Sequence, residues 1–281
     1  MRVAVVGHVE WAEFARVERV PAPGEIAHAL DAWEEAAGGG AVAAVQLAKI
    51  AGECLFMTAL GDDPLGHRAK GDLEAMGVRV EAAWRAEPQR RALVHLDAAG
   101  ERTITVIGDR LGPEASDPLP WRELRNVDGV YFTAGGAGAV RAARAATKLV
   151  STVRALDTLR AASEALDVLV SSAKDPGERY RRGDLDPPPR VVVRTDGAMG
   201  GSFEAADGAS GRWEAGPMPG PPGDAYGAGD SFAAGLTYGL ANGLSIDEAL
   251  ALGARCGAAC ATGRGPYEGQ LTTAEPSAGV S

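Results

Sequence analysis

The chain has 281 residues, 46% hydrophobic and 23% charged, proportions that exclude a disordered chain and accommodate one large or two modest domains. Its 28 basic and 38 acidic residues give a net charge of -10, which disfavours nucleic acid and anionic membranes as partners, so an anion must be held by helix N-termini, backbone amides or a metal ion. No apolar run reaches the roughly 18 residues needed to cross a bilayer, and Cys54, Cys256 and Cys260 are too few and wrongly spaced for a disulfide framework or a zinc ribbon.

Residues 1–7 read as a buried strand ending at Gly7, too short an apolar core for a signal peptide, so a cytoplasmic soluble protein is the default expectation. Residues 9–37 show no clean period. Gly38, Gly39 and Gly40 lead into an Ala/Val/Leu-rich helix over 41–51, followed by a strand over 54–60. Asp63 and Pro64 are a cap and a first helical residue; Leu65, Ala69, Leu73 and Met76 share one face, and Gly77 ends that helix. Strands over 91–96 and 102–107 flank a turn at 97–100. Strands over 127–133 and 148–153 then alternate with helices over 137–147 and 156–166, before strands at 167–171 and 191–195. A second hairpin spans 202–214, turning at Asp207-Gly208. A helix runs from Gly227 to Ala241, and Ser245 to Glu248 is a capping box that opens the next, where Cys256 and Cys260 share a buried face. The alternation predicts a mainly parallel sheet covered on both faces, with the hairpins and residues 9–37 left over as a small β appendage.

The stretch Gly223-Asp224-Ala225-Tyr226-Gly227-Ala228-Gly229-Asp230 carries the chemistry. Gly227 and Gly229 remove side chains where the backbone turns into a helix, and free amides plus the helix dipole favour an anion such as a transferring phosphoryl group. Asp230 falls in the first turn, where its carboxylate can accept a proton from an attacking hydroxyl. The bland alternative is a Gly-rich loop whose Asp caps the helix. There is no Gly-x4-Gly-Lys-Ser/Thr loop, no His-Glu-x-x-His pair and no Gly-x-Ser-x-Gly elbow. His8, His28, His67 and His95 are scattered and read as structural, and Gly135-Gly136-Ala137-Gly138 lacks full dinucleotide-loop spacing.

Asp224 to Asp230 resembles the Asp-Thr-x-Gly-Ala-Gly-Asp signature of the PfkB (ribokinase-like) family of carbohydrate and nucleoside kinases. Gly38 to Ala48 resembles the family's N-terminal Gly-Gly signature. Leu60 to Gly66 is similar to its Gly-Asp-Asp-x-x-Gly segment, and Thr195 to Gly200 to its Thr-x-Gly-x-x-Gly nucleotide loop. The motifs keep family order over residues 1 to about 266. The resemblance implies a three-layer α/β/α fold with a mainly parallel central sheet: one domain over 1–269, a β lid from about 9–37 and 91–107, and a loose tail over 270–281. It implies Asp230 as catalytic base and the amides of Gly227, Ala228 and Gly229 as anion hole. Gly39 and Gly40 would approach the sugar, and Asp224 would lie near the phosphates or a monovalent-cation site. Thr195, Gly197, Gly200, Ser172 and Gly265 would line the ATP site. ATP, Mg²⁺ and K⁺ are the implied cofactors, a small sugar or nucleoside the implied partner, and the lid an implied homodimer contact.

The departures from the family pattern cluster in the sugar and metal sites. Ala225 replaces the signature Thr, and Val42 or Ala43 an Asn. Ser172 and Asp175 stand where the family has Asn-x-x-Glu, so Asp175 would act on magnesium through water, or magnesium would bind mainly to ATP. Glu10 or Glu13 stands in for an Asp that binds sugar hydroxyls, or is a solvated lid residue. Arg90, Arg91 and Arg102 read as surface residues; two of them turned inward would fit a phosphorylated sugar. The leading expectation is an ATP-dependent kinase acting on a hydroxyl of a sugar-like molecule, with a nucleoside kinase and a catalytically weak binding relative as alternatives.

Overall fold

Val3 and Val5 of strand β1 (Val3–Val6) belong to one apolar cluster, while Ala4 and Val6 belong to another. Side chains alternate along a strand, so this one strand shows that both faces of its sheet are covered. The structure is a computed structural model describing residues 1–273. After β1 come β2 (Glu10–Arg16), β3 (Asp31–Ala37), α1 (Gly39–Ala51), β4 (Cys54–Gly61), α2 (Pro64–Ala75), β5 (Val78–Arg85), β6 (Arg91–Leu96) and β7 (Arg102–Ile107). Then follow β8 (Gly129–Phe132), α3 (Ala137–Ala143), β9 (Lys148–Thr152), α4 (Leu156–Ala162), β10 (Val168–Ser172) and β11 (Val191–Thr195). β12 (Gly201–Ala205), β13 (Ser210–Trp213), α5 (Ala228–Ala241) and α6 (Ile246–Cys260) complete the chain.

The main sheet has nine strands in the order β13-β12-β11-β10-β9-β8-β1-β4-β5, parallel except where β12 and β13 join antiparallel. Helices α1, α2, α5 and α6 pack on the face carrying Val3 and Val5, and α3 and α4 on the face carrying Ala4 and Val6. The second sheet has the order β3-β2-β6-β7 and is built from the two segments the sequence set aside, 10–37 and 91–107. Two of its connections to the main body are very short: Gly7, His8 and Val9 separate β1 from β2, and Gly38 separates β3 from α1. No helix among the described residues is long and apolar enough to cross a membrane.

Several local expectations hold for physical reasons. Asp63 caps α2 by accepting the Gly66 amide at 2.8 Å, with Pro64 at the first position. Both arms of the Ser245–Glu248 capping box are present at the start of α6. Others need correction. The 202–214 hairpin does not join the appendage: β12 pairs with β11 and extends the main sheet. The helix expected over 156–166 ends at Ala162, because Ser163 adopts a left-handed φ of 54°. The helix expected over 137–147 ends at Ala143. Strand β5 was not anticipated at all. Within the expected tail, Gln270 donates to Val42 O at 2.9 Å and Leu271 O accepts from Gln46 Nε2 at 2.8 Å, so these residues are packed on α1; residues 274–281 lie outside the described part.

Candidate active site

The carboxyl ends of the parallel strands put Gly7 and His8 (after β1), Thr133 (after β8), Arg154 (beyond β9), Ser172 and Thr195 along one edge. From the adjacent pair β1 and β8, the sheet grows outward in opposite directions, through β4 and β5 on one side and β9 to β11 on the other. Such a reversal opens a crevice at the carboxyl ends, where α/β sheets hold ligands.

Helix α5 begins at this crevice. Its N-cap, Gly227, has a left-handed φ of 81°, which few side chains tolerate, and a Cβ there would sit 2.9 Å from Val42 Cγ1. Among the described residues, the amides of Gly227 and Gly229 have no acceptor and that of Ala228 has only a long 3.4 Å bond to Ala225 O. The first helical turn therefore offers unspent donors and the positive end of the dipole. Asp224 holds the loop that leads there. It is 3% exposed, and its two carboxylate oxygens accept the Tyr226 amide at 3.0 Å and the Gly265 amide at 2.8 Å. Both oxygens are thus committed to backbone, and Asp224 acts on the site by shaping the loop.

Asp230, in the same first turn, is half-buried and faces the floor formed by α1. A Cβ added to Gly39 would lie 2.7 Å from Asp230 Oδ1 and 3.7 Å from His8 Cε1, so the bare backbone of Gly39 is what lets the base reach the floor. Gly40 lies against the backbone of His8 and Gly7, and a Cβ on Gly7 would overlap Thr133 Oγ1. Gly39 and Gly40 thus form a floor with Asp230 at one end and Thr133 at the other. Burial pushes the Asp230 carboxyl up to about 6, against the opposing pull of Arg154 and Arg102. Burial also holds the His8 imidazole well below its ordinary value, reinforced by Arg110, Arg90 and Arg154, so it is neutral near pH 7.

The candidate acids separate by burial. Glu10 sits 2.7 Å from Arg90 with both side chains nearly buried, 10% and 13% exposed. Glu13 pairs with Arg91 at 2.6 Å across β2 and β6, with both partners open to solvent. Breaking the first pair would cost about 3–5 kcal/mol, whereas an exposed pair like the second contributes about 0–1 kcal/mol. Glu10 therefore belongs to the crevice wall and Glu13 to the surface of the second sheet. Arg102 reaches from β7 to donate to Ala225 O at 2.8 Å, tying the second sheet to the loop before α5.

On the other side of the crevice, the Thr195 hydroxyl donates to Ser171 O at 3.2 Å, and Ser172 Oγ accepts the amides of Lys174 and Asp175 at 3.2 and 3.3 Å. Gly197 and Gly200 turn the chain just beyond β11. Gly265 lies between the loop before α5, where its amide bonds Asp224, and β3: a Cβ on it would overlap Glu35 Oε1 and stand 3.3 Å from Trp33 Nε1, and the neighbouring Arg264 stacks over Trp33 and pairs with Asp31 at 3.0 Å. Asp175 accepts from Arg154 at 2.8 Å, and Glu178 pairs with the same guanidinium at 2.5 Å. No cluster of three or more metal-ligating side chains occurs among the described residues. Asp175 and Glu178 are both paired with Arg154, so these residues would fit a magnesium ion held chiefly by nucleotide phosphates and water.

His8, Arg110, Thr133, Arg154 and Glu178 were not singled out as site residues from sequence. The one available signal for Thr133 and Arg154 was position, since each follows the carboxyl end of an expected strand.

The description "pfkB family carbohydrate kinase" matches residues 1–182 and 185–274. The chain belongs to this family. A relative described as an ATP-dependent ribose-1-phosphate kinase, from Halopiger xanaduensis, is 28% identical over 92% of this chain and 91% of its own. Among solved structures, a ribokinase from Thermotoga maritima superposes with a TM-score of 0.79 at 20% identity, covering 97% of this chain and 96% of that one. An adenosine kinase from Sinorhizobium meliloti gives 0.76 at 18%, covering 94% and 95%. These likenesses establish the ribokinase-like fold, and the pfkB family makes the protein a carbohydrate or nucleoside kinase.

Proposed function

We propose that this pfkB-family protein uses ATP to phosphorylate a hydroxyl of a sugar that already carries a phosphate. The observation that carries the kinase reading is the start of α5, where unspent amides at Gly227 and Gly229 adjoin an Asp230 carboxylate aimed over the Gly39 floor. As the acceptor oxygen bonds to the γ-phosphorus, its proton passes to Asp230 and the bond to the ADP oxygen breaks. The charge that develops on the transferring group faces the amides of Gly227, Ala228 and Gly229. A carboxyl that titrates near 6 is ionised at neutral pH yet basic enough to take that proton. The nucleotide is placed along Ser172, Thr195, Gly197 and Gly200. Magnesium, arriving with ATP, would offset phosphate charge. Each Asp224 oxygen already accepts one backbone amide, and potassium is given no step.

The acceptor class is supported by the relative named for ribose 1-phosphate and by Arg90 turning inward beside Arg110 and Arg154. A nucleoside fits less well, because the aromatic side chains that would wall a base are spent on each other. Phe14 stacks on Trp33 at 4.8 Å and meets Tyr226 edge-on at 5.1 Å. The second sheet is assigned as a lid that closes over the acceptor and excludes water. ADP release should be screened over pentoses, hexoses, their phosphates and nucleosides with Mg²⁺ and K⁺ present. Saturable turnover of sugar phosphates is expected; no ADP release with any acceptor would sink the kinase reading.

The lid also supports a homodimer. Strand β7 is an unpaired edge with Ile104, Val106 and Ile107 exposed, a surface that invites a second copy. Sedimentation velocity should show a dimer that the double variant Ile104→Lys, Val106→Lys converts to monomer; a monomeric parent contradicts this.

A further inference from the structure

Four groups converge beyond the far end of the Gly39–Gly40 floor, away from Asp230. Arg110 and Arg154 line one cleft of about 420 Å³, together with the backbone around Thr133. Arg90 stands close enough to Arg110 for their charges to oppose each other, and Arg154 acts on Arg110 in the same sense. Arg90 is matched by Glu10, and Arg154 by Asp175 and Glu178, but Arg110 makes no ion pair among the described residues. Gathering like charges around an unmatched guanidinium costs stability unless an anion sits among them, and it happens here in a chain of net charge -10. Thr133 supplies the second, independent observation. It is 2% exposed, and its Oγ1 is buried with no hydrogen-bond partner. An unpaired buried hydroxyl costs stability unless something bonds to it.

We infer that Arg110, Arg154 and the Thr133 hydroxyl form the subsite for the phosphate already present on the acceptor, and that this subsite selects sugar phosphates over free sugars. The inference rests on the kinase reading above and adds the residues and the orientation. The acceptor lies across Gly39 and Gly40 with its phosphate at the Thr133 end and its reacting hydroxyl at the Asp230 end. The product then carries phosphoryl groups at opposite ends of the sugar. Glu87, Asp109 and Glu114 also line the cleft and would repel a dianion, which places the anion against Thr133, between Arg110 and Arg154, rather than at the mouth. Arg is suited to this task because its planar fork grips a phosphate through two parallel bonds.

The test uses ribose 1-phosphate and ribose with the full chain. Arg110→Met should raise KM for ribose 1-phosphate by about 100-fold, the loss of a charge-assisted pair of bonds, with little change in kcat. Calorimetric affinity for ribose 1-phosphate should fall in parallel, while ATP affinity stays at the parent value and the ligand-free melting temperature is at or above it. Thr133→Val should weaken ribose 1-phosphate by about tenfold and Thr133→Ser should restore it. Unchanged ribose 1-phosphate affinity in Arg110→Met overturns the subsite. So does a parent that phosphorylates free ribose or a nucleoside but no sugar phosphate; in that case the kinase reading survives. Absence of ADP release from every acceptor counts against the kinase reading alone, since calorimetry still reports on the subsite.

Discussion

Asp230→Asn is expected to lower kcat by about 10²–10⁴-fold, the usual contribution of a positioned general base, with ATP affinity unchanged. The amide keeps the shape of the carboxyl and loses its ability to take the proton. The pH profile of the parent gives a second reading of the same group. Burial lifts the carboxyl from 3.8 to about 6, so kcat/KM should fall as pH drops through 6 and level off above it. The sign of the stability effect is fixed as well. A carboxyl whose folded-state value is raised favours the folded chain while it is protonated, and that contribution is lost as pH rises through about 6. Asp230→Asn should therefore melt at or above the parent temperature at pH 8, an advantage that disappears below about pH 4. Turnover within a few-fold of the parent would remove Asp230 from the chemistry.

Gly39→Ala is expected to cost about 100-fold in kcat, the scale associated with displacing a reacting group by an ångström. Its new methyl carbon would stand 2.7 Å from Asp230 Oδ1, so the carboxylate must swing off the floor. The atom in the way is the tip of a flexible side chain, and Ala suits the first turn of α1, so the fold should tolerate the change. Melting temperature should hold while kcat falls. Combining it with Asp230→Asn should add little further loss, because both act on one group. A Gly39→Ala enzyme with parental kcat would show that the base works from another position.

Much of the frame could be read from the chain because its signals are local. Asp63-Pro64, the Ser245–Glu248 box and the run into Gly227 each name a helix start within a few residues, and all three appear. Strand β5 escaped notice although Val78 and Val80 alternate with Arg79 and Glu81, since its partner β4 lies a whole helix away in sequence. β3 was illegible for a different reason: five of its seven residues are not buried, so the apolar signal that marks a strand is nearly absent. The site divides the same way. Asp230 and Gly39 stand inside glycine-rich motifs whose spacing carries meaning. Arg110, Thr133 and Arg154 come from three separated stretches: adjacent strands β8 and β9 bring Thr133 and Arg154 to one edge, and Arg110 arrives on the loop that leaves β7 of the second sheet. The motif around Asp224 likewise does not reveal that its two oxygens each accept a backbone amide, from Tyr226 and Gly265.

Two of the joints between the sheets, Gly7-His8-Val9 and Gly38, leave little slack in the chain. Transplanting a foreign lid in order to redirect substrate choice would therefore drag His8 and Gly39 out of register. Any successful exchange has to carry the whole 7–40 block as one cassette, together with the 91–107 hairpin that completes the sheet.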